Sequence, residues 1–398
     1  TRDLQFRTRE GQVWPGGNVA LTWTGAEGKM PAQGDVRADR LDLAALAQLG
    51  SRLPLGSATH VALAAYAPKG LVESLHARWQ GPIAAPEKYQ AKGRASGLEV
   101  AAQPASPATR AAAASTPVFG SPGIRGAAID FDVNQSGGKA RLVVQAGSLE
   151  LPGFWEEPVV PLDSLSTDVQ WQRTGSQLSI PVNELKFSNA DGEGQAQATW
   201  RTSDPARSRS RSQFPGVLDL QASLSRLEGT RVHRYLPQTI AKSARDYVRE
   251  AITQGTATGV KMRIKGDLWE VPARDPRQGE FRISANVRDV SYAYVPRSLL
   301  PKGQAPWPAL SGVSGELVFD RNSMELRAAT GRIAGSPALQ IARADARIAD
   351  LTQATTVVVS GLVRGPLADA LQVVNSSPLA TLTGQVLERT TANGLADV

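Results

Sequence analysis

Cysteine is absent from this chain of 398 residues. That excludes disulfides, thiolate zinc sites and cysteine nucleophiles, and leaves the compartment open. Histidine is scarce: His60, His76 and His233 are the three. None has the spacing of a metal site or of a nucleophile–base pair. No GxGxxG, GxxxxGK[ST] or GxSxG pattern occurs, so neither a phosphate cradle nor a nucleophile elbow is signalled. No uninterrupted apolar stretch reaches roughly eighteen residues, so nothing reads as a membrane-spanning helix. No signal peptide opens the chain. Thr1, Arg2 and Asp3 already look like strand, and the expectation is a piece of a longer protein whose anchor or export signal lies outside it.

What is present points to strands. Glycine (37) and proline (26) are scattered between short alternating runs, which favours many strands and turns over a helical bundle. The length calls for two or three domains, or for one repetitive body in which each segment packs on its neighbours. Net charge is +7, with arginine far ahead of lysine. Coding bias accounts for this, and so does attraction to anionic partners such as lipid headgroups. Nucleic acid is disfavoured, because the basic residues alternate along strands rather than cluster with aromatics.

The expected order is as follows. Residues 1–100 form a β segment with a short helix after Asp42, which caps it and which Pro54 ends. Within that segment 59–68 reads as strand and 70–81 as a short crossover. Residues 101–117 are a low-complexity insertion of Ala, Pro, Ser and Thr. Residues 118–230 read as a meander with a basic, dispensable, solvated tip at 203–213. Residues 231–255 hold an amphipathic helix, LPQTIAKSARDYVREAITQG at 236–255. Its apolar stripe is Ile240, Ala244, Tyr247, Val248, Ala251 and Ile252, with Gly255 as the residue after its end. Residues 256–398 continue the strands, with a short helix near 366–377. The fold class is thus mainly β: an elongated, twisted, mostly antiparallel sheet forming a repeating groove, with few short crossover helices.

Candidate chemistry is thin. Asp130 and Asp132 share one strand face by the period of two, and a solvated outer face explains them better than a metal site does. Apolar surface remains. Val260, Met262 and Ile264 alternate with Lys261, Arg263 and Lys265. Phe281, Ile283 and Val287 alternate with Arg282, Ser284 and Arg288, and Leu317 and Phe319 flank Val318. These eight apolar residues line either a packed β-sandwich core or an unfilled trough, and periodicity does not separate the two. Only 6% of residues are aromatic, few for a wide two-sheet core, and that leans toward the trough.

The succession VHRYLPQTIAKSARDYVREAITQG, KGDLWEVPARDPRQGEFRISANV and WPALSGVSGELVFDRNSMELRAATGRI resembles the YhdP family of AsmA-like proteins. Upstream, RLDLAALAQL, APKGLVESLHARWQG, SLELPGFWEEPVVPLDSLSTDVQW and LKFSNADGEGQAQATW follow the same order. The resemblance implies an internal periplasmic piece of a Gram-negative envelope protein, tethered to the inner membrane by a helix outside this chain. It implies a β-groove that moves phospholipids between inner and outer membranes, with acyl chains as the partner. No catalytic residues, cofactor or metal come with it. The rival reading is a non-catalytic structural or adaptor module of the envelope with a fully packed core.

Overall fold

A computed structural model describes residues 16–397 except 52–56, 83–85, 105–118, 273, 274, 276, 354 and 355, together with residues 2, 5, 7, 9 and 11. The chain is mainly β. It divides into two compact units, residues 1–190 with 195–202, and residues 191–194 with 203–398.

The first unit holds β1 (Val19–Thr24), β2 (Gln33–Asp42), β3 (Lys69–Gln80), β4 (Lys88–Val100), β5 (Gly123–Asn134), β6 (Gly137–Glu150), β7 (Val159–Thr174), β8 (Gln177–Ser188) and most of β9 (Gly192–Arg201). From β1 to β8 each strand pairs antiparallel with the next. Two helices interrupt the meander, α1 (Leu43–Gly50) and α2 (Ser57–Tyr66). Asp42 caps α1 as expected: its Oδ1 accepts from the Ala45 N–H at 2.8 Å. Pro54, the expected end of that helix, lies outside the described residues.

Two assignments in this stretch are corrected. Residues 57–66 are helix, not strand; four alanines there fit either period, and alanine is the strongest helix former. Residues 69–80 are strand, not a crossover. A register shift between Val72 and Ser74 breaks the period of two. It leaves Leu71, Val72 and Leu75 at a spacing that mimics a helix.

The second unit holds β10 (Val217–Glu228), β11 (Ile252–Asp267), β12 (Gly279–Tyr292), β13 (Leu310–Asp320), β14 (Ser323–Ile333), β15 (Ser336–Ile348), β16 (Val357–Pro366) and the short β17 (Leu395–Asp397). These also pair antiparallel in sequence order. The described pairings do not close a barrel. Its helices are α3 (Lys242–Ala251), α4 (Leu367–Asn375) and α5 (Leu379–Leu382), with a 3₁₀ turn over Gly229–Tyr235. No helix among the described residues is long and apolar enough to cross a membrane.

The amphipathic helix is shorter than its sequence pattern. It starts at Lys242 without a side-chain cap and stops at Ala251. Ile252 instead opens β11 opposite Tyr292, where its β-branched side chain fits a strand. Gly255 is therefore not a helix terminator. Its φ is +124°, and an added Cβ would sit 2.6 Å from Val290 Cγ2, so glycine is needed for close strand approach. The buried face also differs: Arg245 and Ala251 are buried and Ala244 is exposed. Tyr247 fixes the helix to the sheet through a 2.6 Å contact with the Tyr292 hydroxyl.

The 203–213 segment is anchored at its base. Ser203 is buried, its Oγ donates to Asp267 at 3.0 Å, and Arg209 pairs with Glu270 at 3.1 Å. Of the 101–117 insertion, residues 105–117 lie outside the described residues. Gln103 forms a bridge with Ser121.

Candidate functional site: an apolar sheet face

Register assembles the site. In an antiparallel sheet, residues directly opposite each other share a face. Met262 lies opposite Ile283, and Ile264 opposite Phe281. Ile283 lies opposite Phe319, Ala285 opposite Leu317, and Val287 opposite Gly315. On the other flank, Val260 lies opposite Leu224 and Met262 opposite Ala222. All eight candidate residues therefore stand on one face of the second unit. The structure extends that face beyond them. Phe319 meets Met324 and Leu317 meets Leu326 on β14. Met324 meets Ile348, and Ile348 meets Val357.

Burial on this face is partial. Val260 is buried at 3% exposure, whereas Met262, Ile264, Phe281, Ile283, Val287, Leu317 and Phe319 are all half-buried. A face covered by a second sheet would place such residues in a dense interior.

The opposite face is a lattice of cross-strand ion pairs. Arg263 bonds to Asp219 and lies 3.2 Å from Glu280. Arg282 meets Asp320 at 2.7 Å across strands, and along β14 Arg327 meets Glu325 at 2.6 Å. The hydrogen bond from Arg263 holds the Asp219 carboxyl below its ordinary range, and that from Arg327 does the same for Glu325. Charged side chains thus satisfy one another on one side and leave the other side apolar.

The first unit carries a second apolar face, of which the alternation around Asp130 and Asp132 shows one strand. One row runs Val19, Ala38, Leu75, Gly93, Phe131, Ala140 and Val169 across β1 to β7. Aromatic rings cover glycines along it. A Cβ at Gly34 would meet Trp79 at 2.1 Å, and one at Gly138 would meet Trp171 at 2.6 Å. An open cavity of about 1730 Å³ lies on this unit. Leu75, Phe131 and Val169 contribute to its wall, as do His76, Arg94 and Asp130. It exceeds the roughly 300–1,000 Å³ of ordinary small-molecule sites.

The polar candidates are engaged locally. Arg94 Nε donates to Asp130 at 2.7 Å and lowers its carboxyl, and Gln90 donates to Asp132 at 3.3 Å. His76 Nε2 lies 2.9 Å from Asp35. Among the described residues, no group of three or more His, Asp or Glu side chains is placed to hold a metal ion.

The family model described as YhdP protein matches residues 1–398. The chain belongs to the YhdP family. The match spans the insertions as well as the strands, so both units are family sequence. Comparison with curated proteins gave no significant match. Comparison with solved structures gave none either.

Proposed function

We propose that this chain is a segment of a lipid-transfer protein whose apolar sheet faces conduct phospholipid acyl chains between the inner and outer membranes of a Gram-negative envelope. On this reading it is periplasmic and non-catalytic, and it supports the outer-membrane barrier. The observation that carries the reading is the contrast between the two faces of the second unit. Paired charges fill one. On the other, seven of the eight candidate side chains remain half-buried rather than buried.

The physics suits the role. Each acyl CH₂ kept from water contributes about 0.8 kcal/mol. A face that is apolar from Leu220 to Val357 offers similar contact at each strand. Acyl chains can then move without a deep trap, while headgroups stay in solvent. Family membership supports the same reading.

The test is lipid capture. A photo-reactive residue at Phe281, irradiated in envelope membranes, should yield phospholipid adducts detected by mass spectrometry. A reactive residue at Lys261, on the charged face, should yield few. Equal labelling at both positions, or none at either, contradicts the proposal. The packed adaptor module would give none.

A further inference from the structure

We propose that helix α1 is a displaceable cover on the apolar face of the first unit, and that acyl chains replace its leucines there. This rests on the lipid-conducting reading above. One buried cluster of that unit consists of Ala38, Leu41, Val72 and Ala95 from the sheet and Ala45 from α1. Leu43, Leu46 and Leu49 of the helix pack against it. Leu75 and Val19 pack against the same cluster and also line the 1730 Å³ cavity. The helix therefore sits at the margin of an open space, on the surface that continues into it.

Three features make the cover removable. First, α1 has eight residues, too few to be stable without its packing. Second, its sheet-side floor is wholly apolar, Ala38, Leu41, Val72 and Ala95 with Val19, Leu75 and Ile129 beside them, so its contacts are leucine methyls on hydrocarbon. An acyl chain offers the same chemistry, CH₂ for CH₂, so exchange leaves little net change in burial. Third, the helix joins β2 without a linker at Asp42, next to Arg40 at φ +52°, a left-handed backbone that marks a local bend.

The absence of cysteine allows clean labelling. Nitroxides on Gln48→Cys in α1 and Gln80→Cys in β3 sit on two exposed positions, so neither disturbs the core. Electron–electron distances are read in the full chain, with and without vesicles of phosphatidylethanolamine and phosphatidylglycerol. Without lipid, one narrow distance is expected. With lipid, a second population should appear, displaced by roughly one helix diameter, about 10 Å. Leu75 bearing a photo-reactive group should gain lipid adducts in parallel. An unchanged distance in vesicles where Phe281 does capture lipid overturns the cover and leaves the conducting reading intact. No capture at Phe281 overturns both.

Discussion

Trp79 lies across Gly34. The two residues face each other on β2 and β3, and a Cβ on Gly34 would stand 2.1 Å from the ring. The ring fills the space that a glycine leaves open on an apolar face, and it replaces the missing side chain as a packing partner.

Gly34→Ala should therefore swing Trp79 off the sheet. The expected cost is about 1–3 kcal/mol, as for other overpacked sites. Urea denaturation followed by tryptophan emission checks this. The folded variant should also emit at longer wavelength, because the ring gains solvent.

Ser203→Ala addresses the basic segment. Its hydroxyl is buried and donates to Asp267 at 3.0 Å. Removing that buried donor from the half-buried Asp267 carboxylate should cost about 1–3 kcal/mol. By contrast, Arg209→Ala removes an exposed arginine from its pair with Glu270 and should change stability by about 0–1 kcal/mol. Thermal melts of the two variants give the comparison.

Much of the second unit was legible in the sequence. Along 260–265 and 281–287 polar and apolar residues alternate, and the observed register keeps Met262, Ile283 and Phe319 on one face. Legibility ended where the period broke. The shift between Thr258 and Lys261, with Gly259 at φ +58°, and the one between Val72 and Ser74 add a residue to one strand only. A single strand does not reveal such an insertion, because the partner strand defines it. The extent of the first-unit face was missed for a related reason. Gly34, Gly93 and Gly138 add no side chain to the apolar period of their own strands, and only cross-strand register brings the rings of Trp79, Phe131 and Trp171 over them.

Acid should loosen the charged face in a defined window. Bonding to Arg263 lowers the folded-state pKa of Asp219. A lowered folded value means that the stabilisation is complete above the unfolded value, about 3.9, and is lost as pH falls through the folded value. Asp219 is 44% exposed, so solvent screens the pair and the effect is small. Urea midpoints should hold steady from pH 7 to about 5 and fall below about 4. Asp219→Asn should flatten part of that fall.

Asp42→Ala removes the hydrogen bond that starts α1. The cap is worth about 1 kcal/mol. Hydrogen exchange should rise at Ala45 and along α1, while amides of β11 and β12 keep their protection.

The central claim is that the face around Ile283 is open to acyl chains. Its most direct test is lipid photo-crosslinking from Met262, directly opposite Ile283, in the Ile283→Asp variant, with stability measured on the same sample. On an open face water solvates the new carboxylate, so the variant should stay folded, within about 1 kcal/mol of the parent, and lose its lipid adducts. Two results would contradict the account. In one, the second unit unfolds at a cost of several kcal/mol, as a charge in a closed core demands. In the other, the folded variant captures lipid at Met262 as well as the parent does.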